Sequence, residues 1–464
     1  MSHKHHVVVI GGGISGLTSA YALLSQSPVP IDVTVLDAST SVGGLIRTTP
    51  FAGLPAVDEG GDSFLVRVPF ATQLATELGM GDSLTFPASS GAYVWHNRLH
   101  DIPGDLMMGV PAKVSSFARS GLISPLGKLR AALEPLLPRT DDNDSIGEYV
   151  RKRFGDQIHE RLVDPLIGSI YAADTDYFSI AAVPQIAALT GERSMLFAAR
   201  KARAKAAKAP TGPIFATPLN GLGALIDTLA ARVVALGGQI KTSQKVTNIE
   251  KTGTRYDVVS DAGVESCDAV VIATPAKHSA DFVRSLQPHA AGILAQWEHA
   301  SVVLITMAIP GELWPAHLTG SGYLVPKPDQ RWVSAVSFGS NKWRHWNPTD
   351  GSKILRISLG RDGLDVMHFD NDKLVNLALA DLKHHLGIDL VPSEIRISRW
   401  VESFPQYRPY HFARLGELEH SLHANAPGIV FAGASYRGIG IPACIQQGRA
   451  ASKSIIDHLA TLEQ

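Results

Sequence analysis

Cysteine, long apolar runs and an excess of charge of one sign are all missing from this 464-residue chain. Its two cysteines, Cys267 and Cys444, are too few and too distant for a disulfide framework, and they show no metal-ligand spacing. No apolar stretch is long enough to span a membrane. The 42 basic and 43 acidic residues nearly cancel, which argues against nucleic acid as the main partner. We therefore expect a cytoplasmic protein that holds no metal.

Glycine, by contrast, is abundant, and its first cluster is the most informative motif of the chain. The short apolar strand 7–10 leads into a Gly-x-Gly-x-x-Gly turn made by Gly11, Gly13 and Gly16. The first glycine permits a tight turn, the second lets the backbone approach a pyrophosphate, and the third lets helix pack on strand. A second strand ends at Asp37, where a carboxylate would bind ribose hydroxyls. This order predicts a dinucleotide site; the alternative, a glycine-rich turn in an ordinary α/β unit, leaves Asp37 unexplained.

Two further segments favour FAD over NAD as the dinucleotide. A second glycine pair at 43–44 follows the ribose-binding acid, where an NAD enzyme needs none. In FAD proteins of the glutathione-reductase type, such a pair lets a loop lie against the diphosphate and flavin. Residues 431–448 predict a strand, a glycine turn and a helix with Pro442 in its first turn. Because a helix N-terminus would stabilise negative charge on the reduced flavin, we expect both ends of the chain to form one site.

The length suits two or three lobes. An α/β, Rossmann-like FAD-binding domain is predicted from residues 1–90, 215–280 and 424–464. Residues 91–214 have apolar side chains at helical spacing and predict a mostly helical lobe. Residues 281–423 contain alternating apolar and polar β-formers, which predict an antiparallel-sheet substrate-binding domain.

Two segments of the helical lobe carry specific expectations. Residues 141–145 are predicted to be a linker whose last residues cap the helix that begins near Ile146. Residues 198–208 are rich in lysine and arginine. They predict either a solvated helix or a basic flap over an acidic substrate or a membrane surface.

The motifs together resemble those of the porphyrinogen oxidases of haem biosynthesis, which are monoamine-oxidase-like flavoproteins. The segments that carry the resemblance run nearly end to end: 11–17, 42–44, 61–65, 102–104, 109–111, 322–326, 340–343, Trp400, 405–407, His411 and 433–440. Ala434 stands where amine oxidases usually have an acid. Tyr410 stands where the family more often has glycine or a small residue, so we expect it to narrow the pocket.

The resemblance implies a set of FAD-binding residues and no catalytic side chain, because the flavin itself would accept the hydride. The implied cofactor contacts are Gly11, Gly12, Gly13, Ile14, Ser15, Gly16, Asp37, Ala38, Gly44, Leu45, Gly60, Gly61, Asp62, Ser63, Val246, Trp400, Ala434, Ile439, Gly440 and Ile441. Leu45, Val246 and Trp400 also have the simpler interpretation of ordinary core residues.

The reaction that the resemblance implies is oxidation of coproporphyrinogen III to coproporphyrin III, with O2 as acceptor and hydrogen peroxide as product. Arg67, Arg98 and Arg437 are candidates for binding the propionates, although a surface salt bridge is the common fate of such residues. Coproporphyrinogen III carries four carboxylates, whereas protoporphyrinogen IX carries two. The four-carboxylate substrate suits a neutral chain with a basic flap somewhat better.

Other functions remain open at this stage. They are a protoporphyrinogen IX oxidase whose helical lobe rests on a membrane, an amine oxidase, and a flavin-bearing carrier without turnover. Pathway logic adds transient contact with ferrochelatase as a hypothesis.

Overall fold

The computed structural model describes residues 4–89, 91–139, 144–206 and 212–462. Its strands are β1 His5–Ile10, β2 Ile31–Leu36, β3 Thr48–Phe51, β4 Leu54–Asp58, β5 Phe64–Leu65, β6 Leu84–Thr85, β7 Tyr93–Trp95, β8 Leu99–Asp101, β9 Leu106–Met107, β10 Val110–Pro111, β11 Phe215–Pro218, β12 Gln239–Lys241, β13 Val246–Thr252, β14 Arg255–Ser260, β15 Gly263–Cys267, β16 Ala269–Ile272, β17 His299–Ile309, β18 Gly322–Leu324, β19 Val333–Phe338, β20 Lys353–Leu359, β21 Glu394–Pro405 and β22 Ile429–Phe431. Its α-helices are α1 Ile14–Gln26, α2 Phe70–Glu77, α3 Val114–Ala118, α4 Pro125–Ala132, α5 Ile146–Phe154, α6 Asp156–Ile158, α7 Asp164–Tyr171, α8 Pro184–Thr190, α9 Met195–Ala206, α10 Gly223–Ala235, α11 Ala276–Val283, α12 Pro288–Ala295, α13 Gly339–Lys342, α14 Asn371–Leu386, α15 His411–Asn425 and α16 Ile441–Leu462. This mixture confirms the predicted α/β class.

A parallel sheet with the strand order β12-β2-β1-β16-β22 lies at the centre of the predicted FAD-binding domain. All four residues from Val7 to Ile10 are buried, as expected for a strand covered on both faces. Val7 and Val9 pack in one core with α1, α10 and α16, whereas Val8 and Ile10 pack in another with α11, α12 and α15. The loops that follow β1, β2, β16 and β22 therefore meet at one edge of the sheet, where open α/β folds bind ligands.

A second, mostly antiparallel sheet has the order β21-β17-β20-β19-β18-β7-β8. Its strands β17, β19 and β20 cover the β-forming segments of the sequence, and only β18 and β7 run parallel to each other. The hairpin β7–β8 belongs by sequence to the predicted helical lobe, yet it completes this sheet. Helix α14 packs on one face of the sheet through Leu374, Ala378 and Leu382.

The helical lobe, α3 to α9, has a core of its own that is tied together by a buried ion pair. Glu134 and Arg153 are buried, and Arg153 Nε donates to Glu134 Oε1 over 2.7 Å. The same carboxylate accepts from the amides of Met195 and Leu196 and therefore caps the N-terminus of α9. Helix α9 covers most of the predicted basic helix; Ala207 and Lys208 lie outside the described residues.

The start of α5 and the surface of α4 complete this description of the lobe. Ser145 Oγ accepts from the Glu148 amide and caps α5, while residues 141–143 of the predicted linker lie outside the described residues. Leu126 and Leu129 of α4 are largely exposed, as is Leu136 beyond it. None of the helices in the described part of the chain is both long and apolar enough to cross a bilayer.

Candidate active site

The first glycine turn leaves an open space on its outer side. Gly13 precedes α1 in an ordinary extended conformation (φ −75°, ψ 179°), and a Cβ atom placed there would meet no protein atom within 4 Å. A Cβ at Gly16 would instead overlap the carbonyl oxygen of Gly11, because helix and strand are in backbone contact. The first glycine is also required by the protein itself, because Gly11 has φ +104° and a Cβ there would lie 2.9 Å from Ala273 O. The second is required only if a ligand occupies the open space beside it.

The acid after β2 and the second glycine pair lie against this turn. The Asp37 carboxylate accepts from the amides of Gly12 and Ser39, each over 2.7 Å, and the residue remains half-buried. The amide of Gly43 donates to Gly12 O over 2.9 Å. A Cβ at Gly44 would lie 3.6 Å from Gly13 Cα, so the two glycine loops are close neighbours.

Ala38 and Val246 lie at the outer side of this group. Ala38 is exposed beside Asp37. The amide of Gln244 donates to Asp37 O over 2.8 Å and brings the start of β13 close to Asp37. The side chain of Val246 is buried in the core that contains Val8, which leaves its backbone as the group available to a ligand.

Leu45, Gly60 and Trp400 form a second group of predicted cofactor residues. A Cβ at Gly60 would lie 3.0 Å from Leu45 O and 3.2 Å from the Trp400 ring, so glycine is required for this close packing. The guanidinium of Arg47 stands 5.6 Å from the Trp400 ring centroid, a cation–π contact. The side chain of Leu45 is 48% exposed, which leaves it free to contact a bound group.

Asp62 lies in the same loop, but its carboxylate is used by the protein itself. Lys342 Nζ donates to both carboxylate oxygens over 2.8 and 3.0 Å, and Trp343 Nε1 donates over 3.1 Å. Arg356 lies 3.2 Å from Asp62 and donates to Gly60 O over 2.6 Å. Burial alone would raise the pKa of Asp62, yet the two cations outweigh it and hold the pKa well below its ordinary value.

This cluster fixes the loop 60–63, because two cations and an indole N–H surround one buried carboxylate. Ser63 Oγ also donates to Asp62, and Gly61 is exposed. The sequence motifs did not assign Lys342 or Arg356 to the site. The available signal was Arg356, a charged residue within the mostly apolar strand β20, where its side chain is only 10% exposed.

The terminal loop, defined here as residues 433–440, reaches the N-terminus of α1. A Cβ at Gly433 would lie 3.8 Å from Ala273 O and 3.9 Å from Ser15 Oγ. Ser19 Oγ donates to Gly448 O over 3.1 Å, which joins α1 to α16. The two ends of the chain are thus in contact, while their forming one flavin site stays a prediction.

The other predicted contacts in this part of the molecule are distributed along both helices and the loop. Ile14 packs in the core that α1 and α16 share, and Ala434 and Ile441 pack against it. Ile439 packs against the core of the helical lobe, and Gly440 is exposed.

The three candidate propionate-binding arginines lie on different elements. Arg67 follows β5, is exposed, and has no side-chain partner among the described residues. Arg98 lines a groove of about 390 Å³ with His100 and Arg119, next to the helical lobe. Arg437 is held by Glu419, whose two oxygens accept from its guanidinium over 2.6 and 2.7 Å.

FAD fits this arrangement. The open space at Gly13 lies before the N-terminus of α1, which favours a pyrophosphate, and the half-buried carboxylate of Asp37 would suit a ribose. The terminal loop leads into the N-terminus of α16. A helix N-terminus would stabilise negative charge on the pyrimidine ring of a reduced flavin. Among the residues that the structure describes, no group of three or more His, Cys, Asp or Glu could hold a metal ion.

Comparison with known proteins agrees with the geometry. Residues 14–456 match the model of a family described as flavin-containing amine oxidoreductase. The coproporphyrinogen III oxidase of Bacillus subtilis is 33% identical over 98% of this chain and 99% of its own length. The chloroplastic protoporphyrinogen oxidase of rice is 28% identical over 97% of this chain and 91% of its own.

Solved structures show the same architecture. A protein of Exiguobacterium sp. 255-15, provisionally assigned as a protoporphyrinogen oxidase, superposes with a TM-score of 0.85 at 29% identity, and each chain is covered completely. Cyclohexylamine oxidase of Brevibacterium oxydans shares the fold with a TM-score of 0.70 at 16% identity, over 99% of this chain and 100% of its own. The family match confirms the predicted flavin cofactor. The chain therefore belongs to the flavin-containing amine oxidoreductase family and, within it, to the porphyrinogen oxidases.

Proposed function

We propose that this protein oxidises coproporphyrinogen III to coproporphyrin III, using FAD as cofactor and O2 as terminal acceptor. The substrate loses six electrons and six protons in three two-electron steps, and three O2 become three H2O2. The observation that carries the proposal is similarity over nearly the whole chain to coproporphyrinogen III oxidases from several bacteria, up to 33% identity. FAD supplies the two-electron acceptor of each step and is reoxidised by O2.

The residues around the loop 60–63 provide a surface that suits such a substrate. Leu65 and Phe215 pair between β5 and β11, and each is 37% exposed. Lys342, which holds Asp62, stands 5.7 Å from the Phe215 ring centroid. An apolar surface with cations at its rim would bind the face of a tetrapyrrole and the carboxylates at its edge.

Of the three arginines, Arg67 and Arg98 are the ones we propose as propionate ligands. Arg67 lies two residues after Leu65 and has an unengaged guanidinium. Arg437 would first have to release Glu419, with which it forms a bidentate pair. We propose no side chain as general base, and orientation of the macrocycle is the protein's main contribution to the reaction.

The proposal is tested by supplying the FAD-loaded protein with coproporphyrinogen III, protoporphyrinogen IX and a primary amine in separate reactions. Porphyrin fluorescence and hydrogen peroxide are measured together. We expect coproporphyrinogen III to have the highest kcat/KM, with three peroxides released per porphyrin. Oxidation of the amine alone, or porphyrinogen binding without peroxide release, would refute it.

Protoporphyrinogen IX is the second candidate substrate. The rice relative and the Exiguobacterium structure both carry protoporphyrinogen oxidase names, and the second superposes over its whole length. A higher kcat/KM for protoporphyrinogen IX in the same experiment would establish it.

We also propose that the protein acts in the cytoplasm and passes its product to ferrochelatase by transient contact. Peripheral contact with a membrane would use the exposed leucines of α4 and the basic residues of α9. Co-flotation with anionic vesicles tests the membrane contact, and cross-linking during turnover tests the ferrochelatase contact.

A further inference from the structure

Tyr407 lies where three parts of the molecule meet. It comes two residues after β21, and its ring is completely buried. The ring stacks on Phe178 of the helical lobe, with centroids 5.9 Å apart and planes within 6°, and on His411 of α15 at 4.2 Å and 13°. The backbone is also joined to the lobe, because the Ser179 amide donates to Tyr407 O over 2.7 Å.

The hydroxyl of Tyr407 bridges the two sides of the terminal loop. It donates to the carbonyl oxygen of Ala434 and accepts from the Gly438 amide over 2.8 Å. Burial raises the pKa of Tyr407 well above its ordinary value, so the phenol is neutral and keeps the proton that it donates. One group therefore sets the separation between residues 434 and 438.

The residues between these two positions are held from other elements. His411 Nε2 lies 2.9 Å from Tyr436 O, and Gln447 Oε1 accepts from the Arg437 amide over 3.1 Å. Burial lowers the pKa of His411 to about 4, so its imidazole is neutral at pH 7. These contacts fix residues 436 and 437 of the loop. Tyr407 fixes residues 434 and 438 relative to each other and to the helical lobe.

We propose that Tyr407 is a positioning residue for FAD, which holds the terminal loop in its FAD-binding conformation and couples it to the helical lobe. The inference rests on the FAD part of the proposed function and not on the identity of the substrate. A phenylalanine at 407 would keep the stacking but leave the Gly438 amide and the Ala434 carbonyl without this partner. The loop would then adopt other conformations, and FAD would have to reorder it on binding.

The test compares Tyr407→Phe with Tyr256→Phe in the full-length protein. Tyr256 is the matched control, because it is 1% exposed and its hydroxyl donates to Pro427 O, outside the terminal loop. FAD is removed, the apoproteins are titrated with FAD, and the visible spectrum and midpoint potential of the bound flavin are recorded. We expect Tyr407→Phe to weaken FAD binding by about tenfold or more and to shift spectrum and potential. Tyr256→Phe should lower stability without changing any of the three.

Two results would overturn the proposal. The first is a Tyr407→Phe protein that loses stability but binds FAD with the affinity, spectrum and potential of the wild type. The second result applies if that variant does not fold, and it is measured by hydrogen exchange of the wild-type apoprotein. A Gly438 amide bonded to Tyr407 must exchange slowly, so rapid exchange of this amide would overturn the proposal. The experiment uses no porphyrinogen, so its result does not depend on whether the proposed substrate is correct. If the wild type itself does not bind FAD, the flavin assignment is the error.

Discussion

Replacing Gly13 by alanine should change the affinity for FAD without lowering the stability of the apoprotein. The residue has φ −75° and no protein atom within 4 Å of a new Cβ, so the apoprotein should keep its stability or gain about 0.4–1 kcal/mol. The methyl group would occupy the space that we assign to the pyrophosphate. Losing one charge-assisted hydrogen bond there costs about 1.5–3 kcal/mol, or about 10- to 150-fold in the FAD dissociation constant.

Two further glycines provide the controls. Gly16→Ala should destabilise the apoprotein by about 1–3 kcal/mol or more, because its Cβ overlaps Gly11 O. Gly292→Ala, in helix α12 with open space around it, should stabilise the protein by about 0.5–1 kcal/mol and leave FAD binding unchanged. Urea unfolding of the apoproteins and fluorescence titration with FAD measure both quantities. Unaltered FAD affinity in Gly13→Ala would show that the pyrophosphate binds elsewhere.

Three other predictions concern buried ionisable groups. Arg153→Met leaves the Glu134 carboxylate buried and unpaired, so urea unfolding should show a loss of about 3–5 kcal/mol; a loss below 1 kcal/mol would contradict the assigned role of the pair. Burial raises the pKa values of Cys267 to about 12 and of Cys444 to about 11, so neither thiol should react with a disulfide reagent at pH 7.5 until the protein unfolds. Burial raises the pKa of Asp58 to about 6, above the ordinary 3.8, so its contribution to stability is present at low pH and is lost as pH rises through 6. Between pH 4 and 7 the wild type should therefore lose about 2–3 kcal/mol relative to Asp58→Asn, and identical unfolding profiles would refute the shift.

The elements of the parallel sheet could be predicted because their signals are local. An apolar strand followed by a glycine turn identifies β1 and α1. A second apolar strand that ends at an acidic residue identifies β2. Pairing between distant segments carries no such signal. The hairpin β7–β8 joins β18 across more than two hundred residues, and nothing in residues 93–101 specifies that partner.

The site was predictable to a similar degree. Glycines at turns have a backbone reason that is visible in sequence, whereas the contacts of Lys342 and Arg356 with the loop 60–63 depend on how two domains pack. Tyr410 illustrates the limit. Its φ of +65° at the start of α15 lies in the left-handed region that favours glycine, and its side chain is 63% exposed. The departure therefore acts on the local backbone conformation.

The order of strands in the parallel sheet has a consequence for biosynthesis. β1 and its glycine turn leave the ribosome well before β22 and the terminal loop do. The glycine turn after β1 is therefore made some four hundred residues before the terminal loop that contacts its helix. If the terminal loop binds FAD as we propose, we expect FAD to be captured only after that loop has been made, and a product terminated before β22 to carry the pyrophosphate motif without retaining the coenzyme.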